Sequence, residues 1–420
     1  MEFFADLHLH SRYSRGCSKN IDLESLAYWG KIKGLDIIGT GDFTHPLWLK
    51  ELKGKLKDNG SGLFKLKDKK NDACFMLSSE ISSIFSRAGS VKRIHYIVFM
   101  PDFESVEKLN KKLSFFAKLS SDGRPITGID VKNCLEMVLE INEYAILIPA
   151  HIWTPWFSLF GSMSGFDSIK EAFGELTNKV YAVETGLSSD PEMNWRLSQL
   201  DNFQIVSFSD AHSTYPHRIG REATIFELQE PSYLNILKAL KKPNSKNQIK
   251  STIEFYPEEG RYHYDGHRVC GTSFSPQESK KNNYLCPVCG KKTTIGVLTR
   301  VEKLADRNKK FIPSNRPPFK KLVPLAEIIA KTLKTQPTTK KVMTIYMKLI
   351  KKFESEFNIL LNDINLQSAD IPLEVICGIE KAKRGDLFIK PGFDGEYGVV
   401  NISVKPEEYL SEKAIKMRLF

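Results

Sequence analysis

The sequence predicts an α/β protein. A closed or nearly closed (β/α) barrel of about seven or eight units is followed by a small zinc-binding lobe and a mostly helical, basic C-terminal region. Three observations predict it. Residues 1–230 alternate short apolar runs with amphipathic stretches too many times for a small open sheet. A His-Cys pair and a Cys-Cys pair fall close together in a segment poor in apolar residues. Beyond Lys238, basic side chains far outnumber acidic ones: residues 238–352 carry 26 against 8, net +18.

In chain order, apolar runs predict strands at 2–7, 35–40, 74–82, 94–100, 145–150, 180–184, 204–208 and 222–228. Amphipathic periods predict helices over Leu23–Lys33, where Asp22 can cap, Glu104–Leu119, Val131–Ile141 and Pro191–Leu200. These elements assign residues 1–235 to the barrel. Residues 236–260 read as the end of a helix and a basic linker, broken over 241–247. The zinc lobe is expected over 261–293 and the basic region over 294–420. That region holds helices over Thr294–Leu304, Leu325–Leu333, Thr338–Lys351 and Leu373–Lys383, and a hairpin near 386–402.

At 420 residues, 41% hydrophobic and 26% charged, the chain is long and apolar enough to bury sizeable cores. No run of about 18 apolar residues and no leader-like N-terminus is present, so a cytoplasmic protein without a membrane partner is expected. Seven cysteines are an odd number, and Cys17, Cys74, Cys134 and Cys377 are scattered, which suits free thiols in a reducing compartment. The net charge of +11 is concentrated in residues 231–420, with 34 basic and 20 acidic side chains. Such a field attracts polyanions, so a nucleoid-associated role with DNA as partner is expected; Lys309 and Lys310 stand for its phosphate contacts.

The chemistry is densest at the start. Asp6-Leu7-His8-Leu9-His10 sets polar ligands at every second position of a strand, so all three project to one side. Imidazole and carboxylate donors make a first shell for a divalent metal. Further donors recur at or near predicted strand ends: Asp42, Glu80, His95, His151, Glu184, Asp210 and His212. In a parallel barrel those ends converge, which brings residues far apart in sequence to one face. Neighbouring metals there can activate water and stabilise both the attacking and leaving oxygens of a phosphoester displacement. No P-loop or GxGxxG pattern competes.

The order DLHLHS, GTGD, SSEI, IHYI, PAHIW and SDAHS resembles the polymerase and histidinol phosphatase (PHP) superfamily, which implies a distorted seven-stranded (β/α) barrel. The resemblance implies one metal on His8, His10 and Asp210, a second on Glu80, His95 and His151 with Glu80 bridging, and a third using Asp42 and His212. The active centre is then expected to work through Asp210, Glu80, His8, His10 and Glu184. Two or three divalent ions (Zn²⁺, Mg²⁺ or Mn²⁺) are implied.

His267-x₂-Cys270 with Cys286-x₂-Cys289 has the spacing of a closed structural zinc site, with His263 as the alternative to His267. Trp153 and Trp156 follow His151 directly and are candidates to stack on a base. Arg12, Tyr13 and Arg15 leave the metal strand as candidate phosphate contacts. Over its full length the chain resembles a narrower family, endonuclease Q. The resemblance runs through DLHLHSRYSR, IIGTGDFTHP, HIWTPWFSLFGS, VETGLSSDP, SFSDAHS, the RYHYDGHRVCG…CPVCG lobe and the terminal GDLFIKPGFDGEYG segment. It implies a repair enzyme that cuts damaged DNA on the 5′ side of deaminated bases (uracil, hypoxanthine, xanthine) and abasic sites. Separately, an unidentified replication or repair protein partner is expected. The competing readings are a small-molecule phosphatase on the same barrel and a non-catalytic DNA-binding module.

Overall fold

A computed structural model describes residues 1–68 and 73–402; residues 403–420 of the expected basic region lie outside the described residues. The barrel begins with β1 (Glu2–Asp6); the chain running on from it buries Leu7 and Leu9 and brings in His8 and His10, and Leu9 bridges to Ala211. β2 (Ile37–Gly39) runs parallel to it, joined by the helix Leu23–Lys33. That helix has the predicted bounds because its signals are local: Asp22 accepts from the Ser25 amide, and Gly34 closes the far end in the left-handed region.

Next come β3 (Leu56–Asp58), β4 (Phe64–Leu66) and β5 (Cys74–Met76); β5 lies parallel to β2, and β3 and β4 extend its edge. The wall then turns on a long antiparallel hairpin, β6 (Ser78–Arg87) and β7 (Ser90–Phe99), closed by Ala88 and Gly89, both at positive φ. β8 (Ile126–Thr127) flanks β6, and β9 (Ile146–Pro149) pairs antiparallel with β7. β10 (Ala182–Glu184) and β11 (Gln204–Val206) pair in parallel, and a Leu9–Ala211 bridge returns the wall to the first strand. The enclosure is a distorted, PHP-type barrel whose hydrogen bonding breaks into separate sheets.

β12 (Ala223–Glu227) pairs antiparallel with β1, and here the structure corrects the expected linker. Residues 236–260 are ordered: the helix Tyr233–Lys241 leads into β13 (Gln248–Glu254), which pairs with β12 and widens the main sheet. Lys246 and Lys250 masked the strand in the sequence, while Ile249, Thr252 and Ile253 bury their side chains. β14 (Asp265–His267) and β15 (Thr272–Phe274) form the lobe hairpin, and β16 (Phe319–Lys321) joins the main sheet beside β13.

The helices Val297–Leu304, Leu325–Thr332, Lys340–Phe353, Glu356–Leu361 and Leu373–Arg384 bury one apolar stripe each in a core continuous with that of the barrel. The final hairpin, β17 (Phe388–Lys390) and β18 (Val399–Asn401), carries a loop that packs on the lobe. Asp394 in that loop accepts from the Arg268 amide and the Thr294 hydroxyl, both at 2.6 Å. No helix among the described residues is long and apolar enough to cross a membrane.

Candidate active site

Two groups of donors meet at the mouth of the barrel. His8, His10, Glu80 and Asp210 each offer a ligand atom within 4.8 Å of the others, and so do Glu80, His95 and His151. Glu80 belongs to both. The β6–β7 register explains half of this: Glu80 opposes Ile97 and Ser82 opposes His95, so the carboxylate and the imidazole share one face two residues apart. Glu80 Oε1 lies 2.8 Å from His95 Nδ1 and 3.1 Å from His151 Nε2, while Oε2 faces His10 Nε2 at 3.3 Å.

Carboxylates behind the histidines set their orientation. Glu184, at the end of β10, takes His8 Nδ1 at 2.9 Å and the His151 amide at 2.7 Å. Asp42 takes His10 Nδ1 at 3.1 Å and is itself held by the Ser11 amide and the Ser11 and Ser14 hydroxyls. The Nδ1 contacts fix the His8 and His10 imidazoles and leave their Nε2 atoms for coordination. His8 Nε2 is buried without a hydrogen-bond partner, with Glu80 and Asp210 oxygens each 3.7 Å away. That orphaned nitrogen between two carboxylates fits a cation, so the donor set suits divalent metals.

Charge follows from the packing. Burial opposes ionisation of Glu80, yet His95 and Arg124, with His10 and His151, hold its carboxyl well below the usual range. Burial likewise opposes Asp210, and His212, His10 and His8 overcome it. Burial pushes His95 down to about 4 against the pull of Glu80, which keeps that imidazole neutral, the form that binds metal. Asp42, His151 and Asp210 all adopt positive φ, strain concentrated at the site. Gly186 has to be glycine because a Cβ there would meet the His151 Cβ at 2.3 Å.

Several expectations need correction. Asp42 and His212 do not come together as a third ligand group among the described residues: Asp42 is wholly buried beneath His10, while His212 sits at the cleft with Nδ1 2.9 Å from the Asp210 carbonyl. Glu184 is buried with its oxygens engaged, so it positions His8 and His151 rather than facing the cleft. Trp153 is 1% exposed and donates to Asn194 Oδ1 at 2.8 Å, a core residue unavailable to DNA. Arg12 pairs with Glu51 at 2.5 Å and Tyr13 stacks on His45, both turned away from the cleft. Trp156 and Arg15 do line it; Lys309, paired with Glu302, and Lys310 do not.

The cleft itself encloses about 1060 Å³. Its walls carry Arg15, Arg93, Arg124, Arg218, Arg221 and Arg261 with Trp156, Tyr262 and Tyr397. Arg93 comes from β7, Arg218 and Arg221 from one loop and the other three from separate segments, and no local pattern announces them. Arg124 reaches Glu80 Oε2 at 2.9 Å. The loop from Asp210 to Arg221 is pinned by Asp6, whose carboxylate accepts from the Ser209 and Gly220 amides at 3.0 and 2.8 Å. In the lobe, His267, Cys270, Cys286 and Cys289 bring ligand atoms within 4.8 Å of one another; His263 is buried elsewhere, stacked on Tyr264. The Thr272 hydroxyl helps bring the Cys286 thiol down to about 6, toward the thiolate that binds zinc.

A PHP-type barrel with donor groups sharing one carboxylate defines a metal-dependent hydrolase of phosphoesters. Comparisons with known proteins narrow the class. The lesion-specific endonuclease PfuEndoQ from Pyrococcus furiosus superposes with a TM-score of 0.82 at 31% identity, covering 98% of this chain and 99% of that one. An endonuclease Q complex with a 27-mer duplex bearing an abasic lesion at the active site matches with a TM-score of 0.83 at 31% identity, covering 96% and 97%. The MJ0043 C-terminal domain family matches residues 324–383. The uncharacterized protein MJ0043 of Methanocaldococcus jannaschii is 38% identical over 261 residues, 61% of this chain but only 32% of that protein. The chain belongs to the endonuclease Q family and is a metal-dependent endonuclease.

Proposed function

We propose that this protein is a DNA repair endonuclease that hydrolyses the phosphodiester on the 5′ side of deaminated bases (uracil, hypoxanthine, xanthine) and of abasic sites. The observation that carries this reading is the joining of the Glu80-centred donor groups to an arginine-lined cleft. The cleft is walled partly by residues beyond the barrel, Arg261, Tyr262 and Tyr397, which a small-molecule phosphatase would not need. The relative solved with an abasic duplex at its active site supports the class of lesion.

In this reading His8, His10 and Asp210 would hold one divalent ion and His95 and His151 a second, with Glu80 belonging to both donor groups. Bound there, such ions supply an activated water and neutralise charge on the reacting phosphate. The chain's own groups do the rest. Glu184 and Asp42 hold the Nδ1 protons of His8 and His10 and so keep both Nε2 atoms aimed at the centre. Arg124, at the Glu80 edge of the cleft, opposes the negative charge of the phosphate. Trp156, set edge-on to Tyr262 at 5.7 Å, offers an aromatic surface to an extruded nucleotide. Asp210→Asn removes a ligand charge and leaves the cationic walls intact. It should abolish incision of a uracil duplex while retaining binding, and undiminished cleavage by this variant would overturn the assignment.

A further inference from the structure

The cations of the cleft divide into those with an acidic partner and those without. Arg124 sits on Glu80, and Arg15 lies 3.5 Å from Asp122. On the Asp210 side, Arg218, Arg221 and Arg261 have no ion-pair partner among the described residues, yet all line the cleft. Arg221 is the informative one. It is only 6% exposed, its Nε is fixed on the Ser209 carbonyl at 3.0 Å, and its Nη1 is buried without any hydrogen-bond partner. A buried guanidinium with an unused donor, set in the wall of a cleft, is costly unless an anion completes it. Tyr397 stands between the other two, with Arg218 and Arg261 guanidinium carbons 6.0 and 5.1 Å from its ring. Ser188 and Ser213 line the same cleft.

We propose that Arg218 and Arg221 form a subsite for one non-scissile DNA phosphate next to the Asp210 side of the centre, with Arg261 and Tyr397 at its rim. The subsite rests on the nuclease reading above. Arg221 anchors Nε on the Ser209 carbonyl, which fixes its guanidinium at the cleft wall, where a phosphate oxygen would complete its remaining donors, a role for which arginine is suited. Because the same loop carries Asp210, a phosphate seated here fixes the register of the strand against the metal ligands. The subsite thus sets which bond is cut rather than which base is read.

The test is phosphate neutralisation coupled to arginine removal. Duplexes with one uracil carry a single methylphosphonate at each phosphate flanking the scissile bond in turn, and incision is compared for wild type, Arg221→Met and Arg218→Met. At one position, neutralisation should slow wild type by about 10-fold or more, the scale of a charged hydrogen bond, and should add almost nothing in Arg221→Met. Arg221→Lys, which restores the charge, should recover part of the wild-type sensitivity. If wild type cuts the unmodified duplex but the losses simply multiply at every position, the subsite is overturned while the nuclease reading stands. If wild type fails to cut any uracil or abasic duplex, both fall. Should Arg221→Met lower the melting temperature sharply, Arg218→Met, on a half-buried side chain, carries the same comparison.

Discussion

Lys33 and Glu356 form a buried ion pair between the barrel and the C-terminal helices, with side chains 2% and 1% exposed. Lys33 Nζ donates to Glu356 Oε1 at 2.7 Å and to the Pro216 carbonyl at 2.9 Å, inside the loop that carries His212 and Arg218. Glu356 also accepts from the Leu325 amide at 3.0 Å and the Tyr346 hydroxyl at 2.8 Å. Glu356→Gln preserves shape but strands the lysine charge, and removing one partner of a buried pair costs about 3–5 kcal/mol. Lys33→Met should cost a similar amount by stranding the carboxylate. In the double variant no buried charge is left; the Gln carbonyl can still accept from the Leu325 amide, and its NH₂ can donate to the Tyr346 oxygen. Its loss should shrink to about 1–2 kcal/mol, the scale of the lost hydrogen bonds. Urea unfolding followed by tryptophan fluorescence gives the cycle. A single-variant loss below about 1 kcal/mol, or a double variant as unstable as the sum of the singles, would refute the reasoning.

Further outcomes follow from burial. Trp153→Ala should lower stability by about 3–5 kcal/mol. Trp156→Ala should melt like wild type and lose about 1–3 kcal/mol of binding to lesion duplex; equal loss on undamaged duplex would discount stacking. Cys286→Ser with Cys289→Ser should release one zinc per chain and lower the melting temperature, since a closed zinc site contributes folding energy; unchanged zinc by elemental analysis would contradict the lobe assignment. Burial raises the Glu254 carboxyl to about 7 despite hydrogen bonds from Ser207 and Thr252. The folded state therefore holds a proton that the unfolded chain releases near pH 4.5. The Glu254 contribution to stability should fall as pH rises from about 4.5 to about 7. The melting temperature of Glu254→Gln should lack that decline, and parallel pH profiles would refute the assignment.

Features encoded locally were legible. The alternation of His8 and His10 needs only an extended segment, and the Asp22 cap only its own helix; Asp6, expected as a third ligand, instead turns its carboxylate to the Ser209 and Gly220 amides. The hairpin turn at Ala88-Gly89 was not, because Ala is an unusual occupant of a positive-φ position and the two strands read as separate parallel ones. Trp153 and Trp156 lie in a turn-rich loop without periodicity, so nothing local says that one faces the core and the other the cleft. The roles of Glu184 and Asp42 depend on which histidine edge each meets, a tertiary fact. Arg93, Arg124, Arg218 and Arg221 look like ordinary surface cations until the fold gathers them. Residue types were readable wherever they project from one strand; partners brought from different loops were not.

The central claim is that the Glu80-centred metal groups cut damaged DNA beside the lesion. The most direct measurement is product mapping on an end-labelled duplex containing a single uracil or abasic site, with added Mg²⁺ or Mn²⁺ and with chelator. One nick on the 5′ side of the lesion is expected, absent on undamaged duplex and abolished by chelator and by Glu80→Gln. An intact lesion duplex in the presence of metal, or equal cutting of undamaged DNA, would contradict it.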